Sequence, residues 1–546
     1  MTAKRVDNSG SEFSRETPRS TPLDTEFLRQ ETIDVSIPGD QDRIVPRAWK
    51  QRNLLSLDGG GIRGVWSLLA LEKLMDCIES EERKSDGREI AEDSFHPKKF
   101  PKNVSLGPFL EDDLVRESGG DHKTWKASRR YLPCHYFDYI CGSSTGALIA
   151  IMLGRLRMSV ADCLHEYETL AGKVFGKPNF LNELRIPLIN RTKYNCEVLR
   201  KVFADVVARH KEESDAEEPL MHSERRGLCR TCVIATRTKG GKGGTIKEEI
   251  IISSYDPMKS TWRADLLQAH SMGKGKDTTE FNQLHLSRHT SHNEPHTGET
   301  TNWPIWRVAR AATAAPFYFD PVNSESQDFV YTDGGLKESN NPTKKGVGEI
   351  KLNHGQKSVG IVVSVGTARG ETYTKLRIAR KLKQLFGDAS DPEQVHKWAK
   401  DKLTGPESSY YRMNNPGDLK LELDDWRPRG SFTKNGRSGF QTLSEIRERF
   451  YAWVGRSQRV TAVFQQCAEE LVTHRRARAC DQAQWEHYAT GVQFDCLHCD
   501  YPTTFINRDA FNSHLQEKHT DENPLWGEDN AAKEWRYKGR RGTSSE

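Results

Sequence analysis

The sequence predicts an α/β fold with a partly parallel sheet, and three observations support this prediction. Short apolar or β-branched runs recur along the chain, at residues 54–57, 136–141, 232–235, 249–252 and 360–365. Helical stretches lie between them, with apolar residues at steps of three and four from Val65 to Ile78. Glycine-rich turns follow two of the runs, as is typical of layered α/β domains.

The overall composition indicates a large domain with smaller additions. The chain has 546 residues, of which 35% are hydrophobic. This low apolar content predicts tails and solvated insertions outside the packed core. With 81 basic and 77 acidic residues, the net charge is only +4, which argues against a protein-wide field directed at nucleic acid or anionic membrane.

The N-terminal region predicts a soluble, cytoplasmic protein. Residues 1–48 are polar and rich in Ser, Thr and Pro, without the features of a secretory signal or a transit peptide, and we interpret them as a disordered arm. The chain contains no apolar run of about eighteen residues, so no membrane span is expected. Its eleven cysteines form no disulfide framework and suggest reduced thiols or metal ligands.

Residues 81–130 are rich in charge, Gly and Ser, and we interpret them as an exposed insertion with little core. The glycine-rich stretch 240–245 contains a lysine but lacks the G-x-x-x-x-G-K-[ST] order of a phosphate loop. We therefore expect a hairpin turn there.

Two glycine-rich turns together predict acyl transfer. Residues 58–64, DGGGIRG, leave backbone N–H groups unobstructed, which suits the negative charge that develops on a carbonyl oxygen. Residues 142–146, GSSTG, match G-x-S-x-G, which places Ser144 at a sharp turn between a strand and a helix. A dinucleotide site is the alternative for the first turn. It needs a second strand ending in an acidic residue, whereas residues 78–86 form a charged helix end.

Asp333 lies at the end of an apolar run and before a glycine pair, in the sequence VYTDGG. It could be the base for Ser144, although Asp-Gly is also a common turn dipeptide. With the DGGGxRG loop and the GxSxG turn, this motif resembles the signature of the patatin-like phospholipases. The resemblance covers roughly residues 49–370, and the segment around residues 410–414 extends it to about residue 480. Ala147 is a small departure, where many members have glycine.

The resemblance implies a three-layer α/β/α catalytic domain over residues 49–370 and a serine-aspartate dyad without histidine. Ser144 would attack an ester carbonyl, Asp333 would take its proton, and water would hydrolyse the acyl-serine. Because a free aspartate has a pKa near ~3.9, burial would have to raise the pKa of Asp333. The oxyanion would be stabilised by the backbone of Gly59, Gly60 and Gly61, supported by Arg63.

A Ser-Asp-His triad is the rival hydrolase design, because several histidines follow Asp333 in the chain. The candidates are His354, His396, His474 and His487. None lies in a predicted catalytic loop at a strand end, and we expect surface or helix positions for all four. A further cluster of His285, His289, His292 and His296 has no apolar support and is interpreted as a flexible loop near the mouth of the active site.

The C-terminal part predicts a helical extension over residues 371–490, with one irregular segment around residues 410–429, and then a small finger. In residues 491–522, the order Cys496-x2-Cys499-x14-His514-x4-His519 is typical of a C2H2 zinc site in a ββα fold. The helix positions that would face bases contain no Arg or Lys, so a protein partner is expected rather than nucleic acid. Residues 523–546 are interpreted as a basic disordered tail.

These observations favour a cytoplasmic phospholipase of the A type. We expect it to contact membrane surfaces in order to reach phospholipid or another acyl lipid. Zinc is expected to have a structural role in the finger, and catalysis is expected to need no cofactor. Two alternatives stay open: acyl transfer to an acceptor other than water, and a zinc-finger regulatory or binding protein in which the hydrolase domain is a scaffold.

Overall fold

The computed structural model describes residues 47–86, 131–178, 192–211, 217–223, 227–241, 244–255, 302–325, 328–336, 338–368, 392–415, 419, 421–429, 438–491, 493–496, 503–505, 508–518 and 532–535. All of them lie in one compact unit, residues 44–546. The predicted arm lies almost wholly outside the described residues, as does most of the predicted insertion.

A mixed sheet forms the centre of the fold. Its eight described strands are β1 Arg52–Leu57, β2 Tyr139–Ser143, β3 Arg230–Gly241, β4 Gly244–Ser253, β5 Val322–Asn323, β6 Phe329–Asp333, β7 Val359–Val365 and β8 Ser409–Met413. Their order is β5-β6-β3-β2-β1-β7-β8, with β4 also paired to β3. Strands β1, β2, β3, β7 and β8 pair in parallel, and β4, β5 and β6 pair antiparallel. The predicted α/β fold with a partly parallel sheet is confirmed.

Helices connect and cover these strands. The described helices are α1 Gly64–Asp86, α2 Pro133–Tyr136, α3 Thr145–Ala150, α4 Val160–Phe175, α5 Cys196–His210, α6 Ile305–Thr313, α7 Thr343–His354, α8 Pro392–Lys402, α9 Phe440–Arg456, α10 Gln458–Ala479, α11 Gln482–Thr490 and α12 Arg508–Lys518. A π-helical turn spans Ile151–Arg155, and short 3-10 turns span Gly61–Arg63, Gly334–Leu336 and Glu338–Asn340. None of these helices combines the length and apolar character needed to span a bilayer.

Alternating residues of the parallel strands pack into two separate cores. Leu55 and Val363 belong to the larger core, together with the apolar face of α1. Leu54 and Val362 point the other way and pack with Ile350 of α7 and with α8. Because β1 and β7 are buried on both faces, their sequences are continuous apolar runs rather than alternating ones.

Strand β3 explains how distant parts of the chain meet. Residues 232–241 pair with β4 along one edge of β3. The other edge is shared by two strands, because β2 pairs with residues 230–234 and β6 pairs with residues 235–239. Ser143 of β2 lies opposite Ile234, and Asp333 of β6 lies opposite the next residue, Ala235. The carboxyl ends of β2 and β6 therefore abut.

The hairpin expected at residues 240–245 is confirmed, since Gly240 pairs with Thr245 and Gly241 with Gly244. The irregular segment expected from residue 410 is wrong at its start. Ser409–Met413 forms β8, an edge strand parallel to β7. The charged Arg412 within it obscured the strand pattern, because its side chain is buried as an ion pair rather than exposed.

The predicted start of the insertion at residue 81 also differs from the structure, in which α1 continues to Asp86. Glu82 is buried there and accepts two hydrogen bonds from Arg475 of α10, at 2.6 and 2.7 Å. A charged composition indicated exposure, but pairing with arginine allows a carboxylate to be buried.

Near the C-terminus, strands β9 Gln493–Cys496 and β10 Thr503–Phe505 pair antiparallel and precede α12. The order β-β-α follows the pattern expected for a finger. A third strand, β11 Ala532–Trp535, pairs with the other edge of β9 and lies within the stretch we interpreted as a disordered tail. The polar composition of that stretch does not indicate a strand.

Candidate active site

The candidate nucleophile lies at a strained turn between β2 and α3. Ser144 has φ 52° and ψ −127°, a backbone conformation that non-glycine residues rarely adopt. A Cβ atom at Gly142 would lie 2.1 Å from the Gly146 carbonyl oxygen, and one at Gly146 would lie 2.3 Å from the Leu57 oxygen. The two glycines of the G-x-S-x-G pattern are therefore required by close backbone approach.

The structure brings Ser144 and Asp333 into direct contact. Ser144 Oγ donates a hydrogen bond to Asp333 Oδ2 at 2.6 Å. The second carboxylate oxygen, Oδ1, accepts the Gly335 N–H at 2.7 Å, and the Asp333 N–H donates to the Ala314 carbonyl at 3.1 Å. These bonds fix the aspartate at the point where β2 and β6 abut.

Burial is the main influence on the titration of Asp333. The side chain is buried, and desolvation raises its pKa from 3.8 to about 6, although the hydrogen bonds from Ser144 and Gly335 oppose the shift. A carboxylate with this pKa is a stronger proton acceptor than an exposed aspartate and is still ionised at neutral pH. Ser144 itself is only half-buried, so a substrate can approach its hydroxyl.

The three glycines of the DGGG loop differ in how their backbone is used. The Gly59 N–H donates to the Asn340 carbonyl at 3.0 Å, and the Gly60 N–H donates to Thr145 Oγ1 at 3.2 Å. Gly61 is more exposed than its two neighbours and has φ 58°, and its carbonyl accepts a bond from Tyr167 Oη at 2.6 Å. In this state, Gly59 donates within the protein and does not face a ligand.

Side chains around the DGGG loop hold it in place. Arg63 is buried and its Nε donates to the Gly60 carbonyl at 3.3 Å. The Ile62 N–H donates to the Leu423 carbonyl at 2.7 Å. The Asp58 N–H also donates to the Val365 carbonyl of β7 at 3.1 Å, so residues from both the sheet and the C-terminal extension contact the loop.

A buried ion pair anchors the first residue of the loop. Arg412 of β8 donates to both carboxylate oxygens of Asp58, at 3.0 and 2.7 Å. The two side chains are only 7% and 2% exposed, and Arg412 also donates to Ser364 Oγ and Glu393 Oε1. The sequence offered no sign of this partner, because residue 412 is more than 350 positions from Asp58.

The four histidines proposed for a triad lie in helices, as expected, and none bonds to Ser144 or Asp333 in the described part of the chain. His354 Nε2 lies 3.0 Å from Tyr139 Oη, and His474 Nδ1 lies 3.0 Å from Asn53 Nδ2. Burial, reinforced by nearby arginines, lowers the pKa of both histidines to about 3.

The candidate zinc ligands are described only in part. Cys496 ends β9, and the ring of His514 in α12 packs 4.7 Å from that of Phe505. Cys499 and His519 lie outside the described residues, as does the cluster from His285 to His296. Elsewhere in the described chain, no three His, Cys, Asp or Glu side chains are arranged to hold a metal ion. The nine cysteines with described side chains form no disulfide.

Comparison with known proteins supports the resemblance to patatin-like enzymes. Residues 124–345 match the family model for patatin-like phospholipase. The chain is 24% identical over 382 residues to calcium-independent phospholipase A2-gamma of Rattus norvegicus, a match covering 68% of this chain and 36% of that protein. It is 26% identical over 317 residues to phospholipase A I of Arabidopsis thaliana, covering 54% and 23%.

The matched region therefore spans about a third of the length of the rat protein. The crystal structure of VipD from Legionella pneumophila aligns with 79% of this chain and 67% of that chain at 10% identity. Its TM-score of 0.24 is too low to support an argument about the fold.

Proposed function

We propose that this protein, which carries a patatin-like phospholipase domain, is a lipid acyl hydrolase that cleaves ester-linked acyl chains of phospholipids. The observation that supports the proposal most directly is the 2.6 Å hydrogen bond from Ser144 Oγ to Asp333 Oδ2 beside the DGGG loop. Two similar proteins are named as phospholipases, which supports phospholipid as the class of substrate.

The proposed reaction has two steps. Ser144 Oγ attacks the ester carbonyl carbon while Asp333 takes its proton, and the tetrahedral intermediate then expels the lysophospholipid alcohol, which receives that proton. Water next attacks the acyl-serine with Asp333 again as the base, releasing the fatty acid and restoring the Ser144 hydroxyl. This mechanism requires no histidine. The buried Asp333 carboxylate has a raised pKa and already accepts a hydrogen bond from the Ser144 hydroxyl.

Charge on the carbonyl oxygen would be stabilised mainly by Gly60 and Gly61. The Gly59 N–H is engaged by the backbone carbonyl of Asn340 at 3.0 Å, whereas the Gly60 N–H makes a longer bond, at 3.2 Å, to the side-chain hydroxyl of Thr145. Arg63 would act through the loop, by holding the Gly60 carbonyl, and its charge would favour the anion. Gly59 would then contribute to the shape of the loop rather than to the oxyanion.

The proposal is tested by incubating the purified protein with vesicles of labelled phospholipids and, separately, with labelled neutral lipids. We expect release of fatty acid and lysophospholipid from the phospholipid vesicles, in the absence of added metal. Liquid chromatography with mass spectrometry measures both products. Failure to release fatty acid from any lipid in the panel would contradict the proposal.

The activity should depend on pH through Asp333. Because the base must be ionised, kcat/KM should rise about tenfold per pH unit below pH 6 and level off above pH 7. Initial rates on a soluble short-chain ester between pH 4.5 and 8.5 measure this profile without changes in vesicle charge. A profile governed instead by a group with a pKa near 4 would indicate that Asp333 is not the base.

The C-terminal finger is proposed to bind zinc structurally, through Cys496, Cys499, His514 and His519. The β-β-α order and the packing of Phe505 on Phe511 at 5.8 Å support a small fold of this kind. Thiolate and imidazole are suitable zinc ligands, and the metal would stabilise a segment with little core. The proposed role is contact with a protein partner.

Elemental analysis of the purified chain should find about one zinc per molecule, and Cys499→Ser should reduce it to background. Cys480→Ser is a matched control, because Cys480 is exposed and lies outside the finger. Equal zinc content in the wild type and Cys499→Ser would exclude the proposed ligand set.

A further inference from the structure

Asn340 differs from the neighbouring amide side chain of Asn341 because its amide group makes no hydrogen bond to the described residues. The residue ends a short 3-10 turn that follows Asp333 and Gly334. Its backbone carbonyl accepts the Gly59 N–H at 3.0 Å. Its side chain is half-buried and has no hydrogen-bond partner in the part of the chain that the structure describes.

The adjacent residue, Asn341, provides a contrast. Its side chain is buried, and its Oδ1 accepts bonds from the backbone N–H and the hydroxyl of Thr343, at 3.1 and 2.6 Å. Its Nδ2 donates to the Pro392 carbonyl at 3.3 Å. Asn341 therefore has a structural role at the start of α7, whereas the fold does not explain the side chain of Asn340.

The amide of Asn340 lies close to both Ser144 and Asp333. A Cβ atom built on Gly59 would lie 2.6 Å from Asn340 Oδ1 and 2.8 Å from Ser144 Cβ, so both side chains border the same small space. A Cβ atom on Gly335 would lie 3.1 Å from Asn340 Oδ1 and 3.2 Å from Asp333 Oδ1. The amide thus faces the space beside Ser144 and Asp333.

We infer that the side-chain amide of Asn340 binds the reacting ester and donates a hydrogen bond from Nδ2 to its carbonyl oxygen as that oxygen becomes negative. The inference rests on the proposed function. The backbone of Asn340 occupies the Gly59 N–H, so the DGGG loop lacks one of the three donors expected of it. The amide of the same residue can replace that donor, since a half-turn about χ2 exchanges Oδ1 and Nδ2.

A neutral amide suits this role. It has no proton to lose to Asp333, and its two N–H groups can follow the oxygen as the planar carbonyl becomes tetrahedral. Removing one side-chain donor from an oxyanion site typically lowers turnover by about 10²- to 10³-fold. Because the bond strengthens as charge develops, kcat should fall far more than substrate binding.

Asn340→Ala tests the inference directly. We expect kcat for phospholipid hydrolysis to fall about 10²-fold or more with KM changed less than about threefold, and affinity for a trifluoromethyl ketone to fall by a similar factor to kcat. The melting temperature should stay close to that of the wild type. Asn341→Ala is the matched control and should instead lower the melting temperature.

Asn340→Asp keeps the shape of the side chain and removes both donors. Its kcat should be at least as low as that of Asn340→Ala at pH 8, because the introduced carboxylate repels the oxyanion. A kcat within about threefold of the wild type in either folded variant would overturn the inference.

Labelling of Ser144 by a fluorophosphonate tests this inference separately from the proposed function. The labelling reaction needs the nucleophile and the oxyanion site, but it needs no lipid substrate. If the wild type is labelled and releases no fatty acid, the proposed lipid substrate is wrong, and slower labelling of Asn340→Ala still supports the inference. Equal labelling rates for the wild type and Asn340→Ala would overturn it. If the wild type is not labelled at all, the nucleophile assignment and this inference fail together.

Discussion

Ser144→Ala is expected to reduce the release of fatty acid to the background of the assay, a loss of at least about 10⁴-fold. The hydroxyl is the only part of the side chain that bonds to Asp333, and no acyl-enzyme can form without it. The measurement is product formation at saturating phospholipid, combined with fluorophosphonate labelling. The variant should remain folded, because a serine-to-alanine change fits within the same turn.

Ser143→Ala is a matched control for this variant. Ser143 is the preceding residue, and its buried hydroxyl has no hydrogen-bond partner among the residues that the structure describes. We expect it to retain most of the activity and the fluorophosphonate labelling. Activity in Ser144→Ala comparable to the wild type would rule out the acyl-serine mechanism.

Asp333→Asn should affect activity and stability in opposite directions. Loss of the proposed base should lower kcat by about 10³- to 10⁴-fold. The fold should gain stability at neutral pH, because burial raises the pKa of this carboxyl from 3.8 to about 6. Protonation therefore favours the folded state: this stabilisation is complete below pH 3.8 and is lost as the pH rises through 6.

Asparagine cannot ionise, so at pH 7.5 the variant should unfold less readily than the wild type, by an amount on the order of 3 kcal/mol or less. At pH 4 the two proteins should have similar stability. Urea denaturation at both pH values measures the difference. A variant that is inactive and also less stable at pH 7.5 would indicate a structural role for the carboxylate.

Arg412→Met is expected to destabilise the protein by about 3–5 kcal/mol. The substitution leaves the Asp58 carboxylate buried without its bidentate partner. Because Asp58 begins the DGGG loop, the activity of Arg412→Met should also fall under conditions in which the variant is still folded. Urea denaturation measures the free energy of unfolding, and Arg412→Lys should give an intermediate loss, since lysine cannot form the bidentate contact.

Arg427→Met is a matched control on the surface. Arg427 pairs with Asp425 and Glu445, but its side chain is 47% exposed, so its loss should cost less than about 1 kcal/mol. Combining Asp58→Asn with Arg412→Met should recover part of the stability, because neither charge is then buried alone. Similar losses for Arg412→Met and Arg427→Met would show that the buried pair has no special role.

The sequence predicted the sharp turn at Ser144 well because local backbone geometry is visible in short motifs. Ser144 occupies a strained conformation between two glycines that close backbone contacts require, and both facts are implicit in G-x-S-x-G. The parallel strands were equally visible, since strands buried on both faces are continuous apolar runs. Charged residues misled the sequence interpretation at Arg412 and Glu82, where ion pairing allows burial.

The sequence by itself therefore determined the α/β class, the main strands and the three motifs that contain the candidate site. Only the tertiary structure decided which of their atoms meet. Asp333 reaches Ser144 because β2 and β6 abut on one edge of β3, a register that depends on pairing between residues about a hundred positions apart. The hydrogen bond from the Gly59 N–H to the Asn340 carbonyl also depends on tertiary structure. The two residues are far apart in the sequence and meet only because the chain folds back on itself.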